Sequence, residues 1–234
     1  MKVIVSALLA GLVLTGNSFA ADKAVVLETE QQKLSYAMGL DLGQYFQGID
    51  EKLDLEMLSR GMFDAYNGKT PLITAEESAV IQQDFAKRQQ EKQIKKTVAM
   101  IEKNQKAEEA FLKENKAKAG VVATESGLQY KMVKSGEGAK PTATDMVKVH
   151  YQGTLLDGTE FDSSYERKQP AEFQVDQVIP GWQEALQLMA VGSTYELYIP
   201  AKLAYGDRGA PPVIEPGSML IFKVELLDIL KTDK

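Results

Sequence analysis

Val178-Ile179-Pro180-Gly181-Trp182 opens a short amphipathic segment that runs to Met189. Trp182 is the single tryptophan of the chain. Pro180 and Gly181 stop an extended run and aim the chain into the first turn of a predicted helix, where the indole sits. Gln183, Glu184 and Gln187 mark one face of that helix, and Leu186 and Met189 mark the other, at helical spacing. Gly192 closes it. Short runs with strand periodicity lie on both sides, so one small helix is embedded among strands. A lone tryptophan is by default a core aromatic; the stretches around this one ask for more.

Outward from that helix, Leu128 to Val133 and Met146 to Tyr151 alternate like strands, the second placing Val147, Val149 and Tyr151 on one face. Asp157-Gly158 marks a hairpin turn. A strand through Phe173 and Val175 precedes the helix, and Tyr195, Leu197 and Ile199 alternate after it. Leu203-Ala204-Tyr205-Gly206 opens a loop rich in proline and glycine that ends at Gly217, and Met219 to Leu230 reads as a long closing strand. The expected fold class is α+β, an antiparallel sheet curled over one short helix.

Towards the N-terminus the pattern becomes helical. Leu34, Ala37, Met38, Leu42 and Tyr45-Phe46 recur at three- and four-residue intervals, and Asp54 is a predicted N-cap for a second helix carrying Leu55, Leu58, Met62 and Phe63. So short a module cannot bury all of these side chains by itself, which points to self-association into a homodimer. Thr74-Ala75-Glu76-Glu77 reads as a capping box. From there to Ala119 there is neither proline nor glycine, predicting one helix about 65–70 Å long. Its apolar seam lapses between Ile101 and Phe111, which argues against a continuous coiled coil.

Lys2, the apolar run Val3 to Leu14 and the small residues of Ser18-Phe19-Ala20 read as a signal peptide cleaved after Ala20, so the mature chain is expected to be exported without a transmembrane segment. The expected organisation is a signal peptide over 1–20, a helical dimerisation module over 21–72, a linker helix over 73–119 and a catalytic domain over 120–234. The chain has no cysteine, and a net charge of -6 argues against nucleic acid as a partner. His150 is the single histidine and alternates onto the face opposite Tyr151, which removes a Ser-His-Asp triad and most zinc sites.

Val149-His150-Tyr151-Gln152-Gly153, Asp157-Gly158, Phe161-Asp162-Ser163-Ser164, Val178 to Trp182, Leu203 to Gly206 and Phe222 to Leu226, in this order, resemble the FKBP-type peptidyl-prolyl isomerases. Leu34-Ser35-Tyr36-Ala37-Met38-Gly39 and the long helix are similar to the N-terminal region of the macrophage infectivity potentiator class of that family. The resemblance implies an envelope dimer, periplasmic or associated with the outer membrane or cell surface, acting on X-Pro bonds of unfolded exported polypeptides and open to macrolide inhibitors. It assigns catalysis to Asp162, Tyr205, Trp182 and Phe222, with Trp182 as the floor under the prolyl ring. Substrate binding falls to Tyr151, Phe161, Phe173, Val178, Ile179 and Ile214, the Tyr205 hydroxyl and the Ile179 N–H meeting substrate carbonyls. Two positions depart from the pattern: Ala171 stands where some members have an aromatic, and Ala210 where some have histidine.

Isomerisation breaks no bond, so neither a metal nor another cofactor is expected. The alternative is a dimeric periplasmic chaperone that holds unfolded clients without catalysing anything.

Overall fold

The structure is a computed structural model that describes residues 26–230; the expected signal peptide and its cleavage site lie outside them. The chain divides into two units, one ending at Thr74 and one beginning at Ala75.

The first unit is helical. α1 spans Glu30–Gln47 and begins with a capping box, in which Gln32 N–H donates to Thr29 Oγ1 and Thr29 N–H to Gln32 Oε1, both at 3.1 Å. α2 spans Leu55–Tyr66, and Asp54 caps it as expected, accepting from Glu56 and Met57 N–H at 3.0 and 3.1 Å. Gly68 ends the turn after α2 in the left-handed region, at φ +64°. Leu34, Met38, Leu42, Met57, Met62 and Phe63 all remain exposed on the single chain.

The second unit opens with α3, Ala75–Asn115. It stops short of the expected Ala119, and at 1.5 Å per residue is about 60 Å long. The reason is local. Asn115 is 1% exposed, and its amide donates to Gln129 Oε1 at 3.1 Å while Gln129 Nε2 donates to Leu112 O at 2.9 Å. That buried amide pair fixes the helix end, and the chain turns through Gly120 at φ +82°.

Among the described residues seven strands follow: β1 Val121–Ala123, β2 Gln129–Lys134, β3 Met146–Thr154, β4 Glu160–Ser163, β5 Ala171–Gln174, β6 Thr194–Ile199 and β7 Leu220–Leu230. They form one sheet in the order β1-β2-β6-β7-β3-β4, with β5 also paired to β3, and every pairing is antiparallel. β1, short and mostly exposed, and β4, which follows the expected hairpin turn, were not read as strands, and the strand expected through Val175 ends at Gln174, where the chain turns into a 3-10 helix. Alternation puts Val147, Val149 and Tyr151 of β3, Leu197 and Ile199 of β6, and Phe222, Val224 and Leu226 of β7 on the buried face.

Across that face lies α4, Pro180–Leu188, with Pro180 in the first helical turn, where its missing N–H does no harm. A Cβ on Gly181 would stand 2.4 Å from Ile199 Cγ2, so the helix start presses on β6 at a spacing only glycine permits. Trp182, Ala185, Leu186 and Met189 enter the core. Each fully buried large aliphatic there contributes about 1.5–3 kcal/mol. The opposite face is tied down by polar bonds: Gln183 Nε2 donates to Val178 O at 2.8 Å, and Ser126 Oγ to Glu184 Oε2 at 2.6 Å.

The lapse in the α3 seam has a physical cause. Ile101, Asn104, Glu108, Phe111, Leu112 and Asn115 share the less exposed face of the helix. Between the apolar residues, Asn104 Nδ2 donates to Pro216 O at 2.9 Å and Glu108 Oε2 accepts from Ala201 N–H at 2.7 Å. The seam continues, but its contacts there are hydrogen bonds. The end of α3 is therefore a wall of the sheet domain.

Candidate active site

Short segments of several elements converge on one cavity of about 360 Å³. β3 brings Tyr151, β4 Phe161 and Asp162, β5 Phe173, and β7 Phe222. Val178 and Ile179 lead into α4, which brings Trp182, and the loop after β6 brings Tyr205.

The aromatic rings meet edge to face around the indole. From Trp182 the ring centroids of Tyr151, Phe173 and Phe222 lie 5.3, 5.7 and 5.2 Å away, at interplanar angles of 88°, 83° and 81°. Phe161 meets Phe222 at 5.5 Å and 88°. Such contacts place the positive edge of one ring on the negative face of another and fix both. Gly153 makes this possible: a Cβ there would stand 2.6 Å from Phe161 Cζ and 2.7 Å from Phe222 Cε1. Two cavity rings close over a bare stretch of β3.

Asp162 is the single carboxylate of the lining. The Tyr151 hydroxyl donates to its Oδ2 and Arg167 Nη1 to its Oδ1, and Arg167 Nη2 donates to the Tyr151 hydroxyl oxygen at 2.8 Å. Burial pushes the Asp162 carboxyl up, but the hydrogen bonds from Tyr151 and Arg167, with the guanidinium charge, outweigh it and hold the group below the ordinary carboxylate range. Burial and the hydrogen bond to Asp162 push the Tyr151 phenol up. The carboxylate is thus charged and oriented by a donor on each oxygen. Arg167, in the loop after β4, was not found from the sequence, because nothing in its spacing separates it from a solvated surface arginine. Gln177 also lines the cavity and was likewise missed.

Of the residues expected to form the site, Asp162, Tyr205, Trp182, Phe222, Tyr151, Phe161, Phe173, Val178 and Ile179 all line the cavity. Ile214 does not. It is 5% exposed within the core cluster, and its backbone exchanges two hydrogen bonds with Ala210, at 2.8 and 3.0 Å. That pairing closes the tip of the loop and commits the Ile214 side chain to the core. His150 also stands apart, its Nδ1 2.9 Å from Ser164 Oγ and its ring stacked on Tyr165 at 4.7 Å.

Polar groups for a peptide flank the rings. The Ile179 carbonyl accepts the first bonds of α4, from Trp182 and Gln183 N–H at 2.9 and 3.1 Å. Its own N–H has no acceptor among the described residues. Tyr205 is 41% exposed. An apolar, ring-walled cavity with a few fixed polar groups suits a small apolar ring bearing amide carbonyls.

Residues 137–227 match the family model of the FKBP-type peptidyl-prolyl cis-trans isomerase, and residues 31–132 match that of the domain amino terminal to it. The chain is 44% identical over 233 residues to the outer membrane protein MIP of Legionella longbeachae, covering 99% of this chain and 98% of that protein. It is 45% identical over 211 residues to the peptidyl-prolyl cis-trans isomerase Mip of Coxiella burnetii, covering 90% and 92%. The crystal structure of FkpA from Escherichia coli superposes with a TM-score of 0.70 at 37% identity, covering 87% of this chain and 98% of that one.

Proposed function

The chain belongs to the FKBP-type peptidyl-prolyl cis-trans isomerases, and we propose that the cavity over Trp182 is where it twists X-Pro bonds. The observation that carries this reading is the convergence of Tyr151, Phe173 and Phe222 on the Trp182 indole beside one fixed carboxylate.

Rotation about a peptide bond is opposed by its partial double-bond character, a barrier of about 18–20 kcal/mol. No bond breaks on the way. The planar amide separates more charge than the twisted one, so an apolar cavity that strips its water destabilises the planar form more. Trp182 supports the prolyl ring, and Phe173 and Phe222 hold its sides. The Ile179 N–H and the Tyr205 hydroxyl bond the neighbouring carbonyls and fix the peptide while the amide turns. Asp162, locked by Tyr151 and Arg167, gives the wall a fixed dipole that needs no reorganisation during the turn. Lowering the barrier by ~5.4 kcal/mol speeds exchange about ten-thousand-fold. Macrolide inhibitors of the family would occupy the same cavity.

The clients are exported polypeptides, met in the periplasm or at the outer membrane or cell surface after cleavage of residues 1–20. No helix among the described residues is long and apolar enough to cross a membrane. The exposed Leu34, Met38, Leu42, Met57, Met62 and Phe63 favour a dimer built on the first unit. The same apolar surface supports a second reading, in which the protein also holds unfolded clients. Exchange of a proline tetrapeptide and suppression of client aggregation, measured with Phe222→Ala beside the parent, test both. Loss of exchange with suppression retained assigns the two activities to different surfaces. Exchange unchanged in a folded Phe222→Ala chain overturns the assignment of catalysis to this cavity.

A further inference from the structure

The loop that carries Tyr205 is held from outside the sheet domain's own strands. Ala201 begins it, and its N–H donates to Glu108 Oε2 of α3 at 2.7 Å. The Ala201 carbonyl accepts from Ala204 N–H at 2.9 Å, the residue directly before Tyr205. On the far side, Gly206 O accepts from Gly217 N–H at 3.0 Å, and the neighbouring Pro216 O accepts from Asn104 Nδ2 at 2.9 Å. A Cβ on Gly217, whose φ is +75°, would stand 3.1 Å from Ile101 Cα. The loop's return segment at Gly217 therefore lies directly against the helix backbone. Tyr205 sits inside a ring of hydrogen bonds that closes through two side chains of α3, one turn apart.

We infer that Asn104 and Glu108 are positioning residues of the isomerase: by gripping both feet of the loop they hold Tyr205 where it binds the peptide, and so make the linker helix part of substrate recognition. The inference rests on the reading of Tyr205 as a substrate-binding residue. Physical grounds favour grip over mere packing. Asn104 and Glu108 interrupt the apolar seam between Ile101 and Phe111, and each bonds a loop backbone group that no strand pairing satisfies. Burial pushes the Glu108 carboxyl above the ordinary carboxylate range, while its bond from Ala201 N–H and the nearby Lys202 charge pull the other way. Polar groups placed this way fix geometry more than they add stability. Tyr205 is itself half-exposed, so little other packing determines where it stands.

The experiment uses the full mature chain and a proline tetrapeptide, with KM and kcat measured well below each variant's melting temperature. Glu108→Ala and Asn104→Ala are each expected to raise KM about five-fold with kcat nearly unchanged, the size one hydrogen bond commands. Glu108→Gln retains a side-chain oxygen for Ala201 N–H and is expected to restore KM. Glu109→Ala, on the exposed face of the same turn, leaves both constants unchanged. In the Tyr205→Phe background, Glu108→Ala is expected to add little, because both changes remove one interaction. Melting temperatures that fall while KM stays at the parent value overturn the inference, as does a strictly additive effect with Tyr205→Phe. If Glu108→Ala fails to fold, Asn104→Ala and Glu108→Gln decide the matter by the same constants. If Tyr205→Phe alone leaves KM unchanged, the reading of Tyr205 falls and the inference falls with it. If Tyr205→Phe raises KM but neither α3 variant does, only the inference falls.

Discussion

The edge-to-face contact between Trp182 and Phe222, centroids 5.2 Å apart at 81°, joins α4 to β7 at the base of the cavity. Both residues are also core, 4% and 6% exposed. Phe222→Ala is therefore expected to act twice. It removes a wall of the cavity and lowers catalysis by at least about tenfold, or ~1.4 kcal/mol of barrier. It also destabilises the domain by about 3–5 kcal/mol, the usual range for deleting a buried phenyl. Denaturant unfolding beside the tetrapeptide assay separates the two, and a folded variant with parental activity contradicts the role given to this ring.

Gly153→Ala touches no substrate yet is expected to damage the site. Its new methyl would meet Phe161 and Phe222 at 2.6–2.7 Å, so both rings must move. Overpacking of this kind is expected to lower stability by about 1–3 kcal/mol. Activity should fall further than that loss explains, since the displaced atoms belong to two cavity walls. A variant whose rate is unchanged while its melting temperature drops would show that the Phe161–Phe222 contact does not set the cavity's shape.

Much of this arrangement is legible in the sequence. Alternation in Met146 to Tyr151 and in Tyr195 to Ile199 put Tyr151 on the buried face of its strand and Leu197 and Ile199 on that of theirs, and the Pro180-Gly181 stop placed Trp182 at a helix start. What escaped is held by polar contacts rather than by hydropathy. Arg167 reaches back to Asp162 from a loop with no periodicity. Asn104 and Glu108 look like solvated helix positions until Pro216 and Ala201 are seen beneath them. Ile214 is set apart from the lining for a different reason: the Ala210–Ile214 backbone pairing carries an apolar loop residue into the core. Hydropathy reads apolar faces of elements, and Arg167 and Ile214 lie in loops while Asn104 and Glu108 are polar residues on a packed face.

The pH profile follows from Asp162. Its folded pKa lies below the ordinary value near 4, so its contribution to stability is fully present above that unfolded value and is lost as pH falls through the folded one. Tyr151, pushed up by burial, stays neutral over the same range. Catalysis by the mature chain is therefore expected to be flat from about pH 5 to 9 and to fall only in more acidic solution. Asp162→Asn removes the charge while keeping the shape, and its residual activity should be flat throughout. An inflection near neutral pH in the parent chain contradicts this assignment.

Truncation separates the roles of the helices. Light scattering should find the mature chain dimeric and a fragment beginning at Ala75 monomeric, folded and active on short peptides. A fragment beginning at Gly120 loses Asn115 from the buried amide of Gln129 and Phe111 from its ring contact with Tyr198 at 5.6 Å. It should be less stable than the longer fragment by a few kcal/mol, on the order of one buried hydrogen bond and one aromatic contact. Equal melting temperatures for the two fragments would mean that the end of α3 adds nothing to the sheet domain, and a monomeric mature chain at micromolar concentration would remove the dimer.

The most direct test of the central claim is the rate of cis-trans exchange in a proline tetrapeptide with the mature chain and with its Asp162→Ala, Phe222→Ala double variant, each first shown to be folded by its melting curve. The cavity over Trp182 predicts strong acceleration by the parent chain and exchange close to the spontaneous rate with the double variant. Full acceleration by the folded double variant would place the chemistry elsewhere and contradict the account.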